Sequence, residues 1–311
     1  MKIGRRLREP IVAIAHGGQH RQMIEEVLDL LPLMSIIKPD DTVVVVPNWV
    51  GAKPLESGAV TRPETLHTVL RALKALGPRR LVVAAGPAYP NTPAIAARLQ
   101  QDRVIREEEV EFVDLNLGPF VEHRIEHDRP SSVVMNRIVE EMNVLVSLTQ
   151  LKMHEEATVS LTMKNVALSL PASEVYGYPR GEISGIPRPE RTDPHADLHG
   201  FIVAMNKLLP IDLAIIVGDI AMTGTGPSKG RAVEGKLVIA GTDAVATDVV
   251  GARLLGFKPQ GVAHIYRAIA AGLGEGDVDR IRFLGARWED VARRFTEAAF
   301  GKSFVVGGRE Y

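Results

Sequence analysis

Lys152-x-His154, with Lys164 ten residues beyond the histidine, places two ammonium groups and an imidazole in one short stretch. An imidazole titrates near neutral pH, so His154 is the candidate acid/base. Lys164 stands among Val159, Leu161, Met163, Val166 and Leu168. An unpaired ammonium there is costly, so it must snorkel, find a partner, or serve as an electrophilic or cofactor-holding cation. Arg62, in Thr61-Arg62-Pro63, is a second anion contact beside Lys152. Asn48, Gly86, Asp219, Gly224 and Gly226 complete the candidate substrate contacts, because small glycines admit a ligand and polar side chains orient it. His195 and His199, at i and i+4, are the candidates for a metal. No third ligand accompanies them, and the plainer reading is a solvated or hydrogen-bonded pair.

Each motif also has an ordinary structural reading. Thr61-Arg62-Pro63 can be a helix start, Lys152 and His154 a polar strand end, and Asp243 a helix cap. Gly224-x-Gly226 is followed by a strand pattern, which removes the helix N-terminus that a dinucleotide or phosphate loop needs. No nucleophilic-serine elbow is present. His16, Gly17, Gly18 and His20 read equally well as a turn.

The 311 residues are 45% hydrophobic and 24% charged, with a net charge of −1 and no cysteine. Iron–sulfur clusters, disulfides and thiolate zinc sites held by this chain are thereby excluded. The charge balance gives no reason to expect nucleic acid or an anionic membrane as partner. No apolar run approaches the ~18 residues of a membrane span. A cytoplasmic protein is expected, with a small anionic metabolite as its partner and a homo-oligomer left open.

These residues need elements to position them. Apolar β-branched runs at Ile11–Ala15, Thr42–Val46, Leu81–Ala85, Val110–Val113, Val144–Leu148, Leu213–Val217, Lys236–Ala240 and Ile281–Leu284 predict strands. Helical patterns fall at 22–31, 63–75, 93–101, 133–142, 194–209, 244–255 and 262–271, followed by a terminal helix; 158–168 is helical or extended. The alternation predicts an α/β fold with a mostly parallel twisted sheet and flanking helices. The chain reads as a single unit over 1–311, with lobes at 1–142 and 143–311 around a cleft as a variant. Residues 171–194, rich in Pro, Gly and Ser, read as a long loop and a candidate mobile lid.

The ordered motifs resemble domain-of-unknown-function family 362 (DUF362) over roughly Asp41 to Gly274. They are Pro47-Asn48, Ser57-Gly58-Ala59, Thr61-x-Pro63, Leu151-Lys152-x-His154, Leu161-x-x-Lys164-Asn165 and Leu198-His199. Asp219, Met222, Gly224-x-Gly226-Pro227, Asp243-x-x-Ala246-x-Asp248 and Gly256-Phe257 complete the set. The resemblance implies an α/β protein and names no reaction. Val46 stands where that family commonly has lysine, and Thr223 where it has an acidic residue. The ferredoxin-like cysteines of many relatives are missing.

Thr61-Arg62-Pro63 and the His154/Lys164 spacing also resemble the N-terminal domain of the nickel-dependent lactate racemase family. That resemblance implies a substrate-binding arginine, an acid/base and metal-ligating histidine, and a lysine that tethers a nickel-pincer nucleotide. The chain departs at Ala88, which replaces a second catalytic histidine, and at Ser160–Met163, which replaces a glycine-rich run.

Three functions are therefore carried forward. The first is an enzyme on a small anion, with His154 as acid/base and Arg62, Lys152 and Lys164 as anion or cofactor contacts. The others are a nickel-pincer racemase or epimerase, and a non-catalytic ligand- or cofactor-binding accessory protein. If the sheet is parallel, at least four of Asn48, Arg62, Gly86, His154, Lys164 and Asp219 should line one cleft.

Overall fold

Val43 to Val46 are fully buried, as expected of a strand covered on both faces. This strand is central in the computed structural model, which describes residues 4–87, 91–173, 194–227 and 229–301 and the backbone of 305–306 and 309–310. Strands β1 (Ile11–His16), β2 (Thr42–Pro47), β3 (Arg80–Ala85) and β4 (Glu111–Asp114) come first. A hairpin of β5 (Phe120–Arg124) and β6 (Ser132–Asn136) follows, then β7 (Val144–His154) and β8 (Thr158–Val159). β9 (Leu213–Thr223), β10 (Arg231–Glu234), β11 (Leu237–Gly241) and β12 (Arg282–Gly285) complete the main set.

The main sheet runs β12-β1-β11-β9-β7-β2-β3-β4, with β10 on β9 and β8 on β7. Along the main path only β11 opposes its neighbours, so the sheet is mostly parallel. Strands from both halves of the chain interleave, with β7 between β2 and β9 and β1 between β11 and β12.

The longer helices are α1 (His20–Leu30), α2 (Pro63–Lys74), α3 (Thr92–Arg98), α4 (Gln101–Glu107) and α5 (Thr162–Ser169). Then come α6 (Leu198–Leu208), α7 (Ala244–Leu254), α8 (Ala263–Ala270) and α9 (Trp288–Phe300). In α2, Pro63 opens the helix, Glu64 sits in its first turn, and Arg71 and Lys74 in its last. That order suits both the unpaired first N–H groups and the helix dipole. One apolar core packs α1 and α2 on one face of the sheet through Ile24, Leu28, Leu66 and Leu70. The other packs α5, α6, α7 and α9 through Val166, Phe201, Val249 and Phe295. Among the described residues no helix is long and apolar enough to cross a membrane.

Three local expectations change. Residues 133–142 are not one helix: Ser132–Asn136 is a strand of the hairpin, and only Ile138–Glu141 is helical. Val133 and Met135 are buried at a spacing of two, which is strand periodicity. The segment 158–168 divides into β8 and α5. The helix expected from residue 194 begins with a 3-10 turn, Pro194–Asp197, and Asp197 caps α6 by accepting from the Gly200 amide. The candidate lid lies outside the described residues at 174–193.

Candidate functional site

Asn48 follows β2 at its carboxyl end and ties three elements together. Its Oδ1 accepts from Lys152 Nζ at 2.5 Å, and its Nδ2 donates to Asn165 Oδ1 at 3.0 Å. Its main-chain N–H donates to Leu148 O and Thr61 Oγ1, and its carbonyl accepts from the Thr61 amide. Asn165 in turn donates to Val46 O and Ser147 Oγ. The chain from β7 through β2 to α5 is thus a fully bonded buried polar network, which fixes geometry because each broken link would strand a polar group.

Lys152 is completely buried. Its second acceptor is Ala59 O, at 2.8 Å. Burial, reinforced by the Lys164 charge, pushes its pKa well down.

Lys164 lies in the first turn of α5 and is 7% exposed. Among the described residues its ammonium has no hydrogen-bond acceptor and no ion-pair partner. Burial lowers its pKa to about 8, and the Glu156 charge opposes that only in part. The helix that carries it is pinned by Asp248 of α7, whose carboxylate accepts from Thr162 N, Thr162 Oγ1 and Met163 N at 2.9, 2.5 and 3.0 Å. Burial nevertheless raises the Asp248 pKa to about 7.

His154 ends β7 and is 8% exposed. Its Nδ1 accepts from the Glu156 and Ala157 amides at 3.1 and 3.2 Å. With two N–H groups aimed at it, Nδ1 must keep its lone pair, so the hydrogen sits on Nε2. Burial, then the Lys164 and Lys152 charges, holds the pKa down at about 2. The ring is a neutral N–H donor throughout the physiological range.

Arg62 and Asp219 meet each other. Arg62 Nη2 donates to Asp219 Oδ2 at 2.6 Å, and His20 Nδ1 lies 3.2 Å from the same oxygen. His20, then Arg62, keeps the Asp219 carboxyl below its ordinary range. This trio adjoins the lysine network through Thr61 and Ala59.

Gly86 is a packing point: a Cβ there would stand 2.8 Å from Leu115 Cβ and 3.0 Å from Ser169 O, at the end of α5. Gly226 is another, since its Cβ would fall 2.1 Å from Met153 O. The Gly226 carbonyl accepts from the Glu155 amide, which holds the glycine turn against the end of β7. Gly224 is exposed.

The two metal candidates have different ring neighbours. His195 Nε2 is 3.9 Å from Glu156 Oε2. His199 Nδ1 lies 3.2 Å from His264 Nδ1 of α8 with the rings near parallel, so one ring donates and the other accepts. Among the described residues no three His, Asp or Glu side chains assemble as metal ligands. Asn165, Asp248 and His264 are the site-forming residues that spacing alone did not single out. Asn165 beside Lys164 and the Asp243-x-x-Ala246-x-Asp248 motif were visible in the sequence. His264, in an amphipathic helix, left no signal.

Fold and site together define a class: a mostly parallel α/β protein with a buried cationic cluster at the carboxyl edge of its sheet. The chain belongs to the family described as "Domain of unknown function (DUF362)", whose model matches residues 43–253. That span holds every lysine, asparagine and aspartate of the cluster and stops short of His264. A curated relative, "Thylakoid-associated protein sll1697" of Synechocystis sp., is 22% identical over 225 residues. The match covers 72% of this chain and 66% of that protein, slightly under two thirds of the relative's length.

Proposed function

We propose that the protein is an enzyme that binds a small anionic metabolite at the carboxyl edge of the sheet, with Lys164 as the principal contact. The observation that carries this reading is Lys164, a side chain only 7% exposed whose ammonium has no counterion among the described residues. A buried charge is normally paired, and an anionic ligand supplies the missing partner. The His154 Nε2–H is a second donor to that ligand. Arg62, already neutralised by Asp219, shapes the rim rather than carrying the charge. In this reading His154 is a hydrogen-bond donor and not the acid/base suggested by its residue type, because protonating Nδ1 would set a third N–H against two others.

The same tautomer weighs against the nickel-pincer reading. A metal on Nε2 would need the lone pair there, and Nδ1, facing two donors, could not take the displaced hydrogen. The balanced charge and the lack of a long apolar helix among the described residues favour work in the cytoplasm.

Calorimetric titration with oxalate and with inorganic phosphate tests the reading. The native chain should bind at least one of them, and Lys164→Met should weaken that binding about tenfold or more. Equal affinity in both proteins would end it. Metabolite profiling of the native chain beside His154→Phe then separates an enzyme from an accessory binder: binding with no turnover of any compound favours the latter.

A further inference from the structure

We propose that Lys164 is a nucleophile, and that its ε-amine condenses with the aldehyde or ketone carbon of a small acid to form an imine. The inference rests on the anion site above and narrows its ligand to a carbonyl-bearing acid.

Holding an anion by charge alone calls for a group that stays charged and presents several donors, which favours arginine. A desolvated lysine can hold an anion while charged and can also react, because part of its population is free amine near neutral pH. Lys164 has that environment, and its nitrogen is committed to no acceptor among the described residues. Lys152 is the unsuitable lysine of the two. It is wholly buried, and its nitrogen donates to Asn48 Oδ1 and Ala59 O.

Addition to a carbonyl also needs a donor where negative charge develops on oxygen. His154 supplies one. Its Nε2–H is fixed by the two amides on Nδ1, has no partner among the described residues, and the imidazole lies near enough to Lys164 for the ammonium charge to act on it.

The step balances without an oxidant. The free amine of Lys164 attacks the carbonyl carbon and forms a C–N bond, and the carbonyl oxygen becomes a hydroxyl after proton transfer from nitrogen. That hydroxyl leaves as water with one further proton, and the C=N bond remains.

Glyoxylate with cyanoborohydride tests this on the full chain. The hydride reduces the imine to a stable secondary amine, so the modified lysine gains the mass of glyoxylic acid less one oxygen. Peptide mapping should find Lys164 modified at least about tenfold faster than the exposed Lys38, Lys229 and Lys258. Excess oxalate, which has no aldehyde or ketone, should protect it. Lys164→Arg keeps the charge but cannot form the imine, so it should lose the adduct while still binding oxalate. Oxalate binding to the native chain with Lys164 unmodified, or modified no faster than the surface lysines, would overturn the imine and leave the anion site standing. Failure of both oxalate binding and trapping would remove both.

Discussion

Two lysines in one cluster meet opposite fates, and the difference lies in what surrounds each nitrogen. Lys152 has Asn48 Oδ1 and Ala59 O as acceptors, whereas Lys164 has neither. Asn48→Ala would leave Lys152 one acceptor short and Asn165 Oδ1 with only the long bond from Ser169 Oγ. We expect a loss of about 3 kcal/mol in stability by urea denaturation. Asn48→Asp should cost less, because a carboxylate still accepts from Lys152. Lys164 predicts a pH dependence of binding. It is charged below about 8 and neutral above, so oxalate affinity should hold up to that pH and then weaken by as much as tenfold per unit in titration calorimetry. In Lys164→Met that fall should vanish. The residue types of this cluster are legible in the amino-acid sequence, but its pairings are not. Sequence spacing brought Arg62 and Asp219 forward as two separate ligand contacts, and nothing in spacing shows that they neutralise each other.

α5 is short and begins in the interior, so its first amides depend on a side chain from another helix. Asp248 provides it, and Lys164 follows the capped residues directly. Asp248→Ala would leave Thr162 N and Met163 N unpaired in the core, costing about 2–4 kcal/mol. It should also weaken oxalate binding by shifting Lys164, and Asp248→Asn should recover part of both. Gly226→Ala should disturb the end of β7 through the Met153 carbonyl, with a drop in thermal midpoint as the readout. At this scale the sequence spoke clearly where a single periodicity held. The valines of β2 and the leucines of α2 fall where their spacing puts them. It misled at 133–142, where β-branched residues near Ile138 and Val139 imitate a helix, and it passed over β5 and β10, whose alternation is weak and half exposed.

Across the molecule, buried titratable groups set how stability answers to acid. His154 and His264 have pKa values lowered to about 2 and about 3, chiefly by burial. The unfolded chain therefore takes up their protons first as pH falls below about 6.5, and folding loses about 1.4 kcal/mol per unit for each. Asp248 acts in the opposite sense: its raised pKa costs stability as pH climbs from about 4 to about 7. In urea midpoints between pH 4 and 6.5, His264→Phe should flatten the acid loss by one proton and Asp248→Asn should steepen it by one. The interleaved sheet has a temporal consequence as well. β1, early in the sequence, lies between β11 and β12, the last strands of the main sheet to be made. During synthesis Ile11–His16 must wait, unpaired and apolar, for more than two hundred residues, while β2 and β3 can already close on each other. A nascent chain stalled after Thr223 should therefore leave that segment open to protease or to a chaperone, with full protection only once Arg282–Gly285 has emerged.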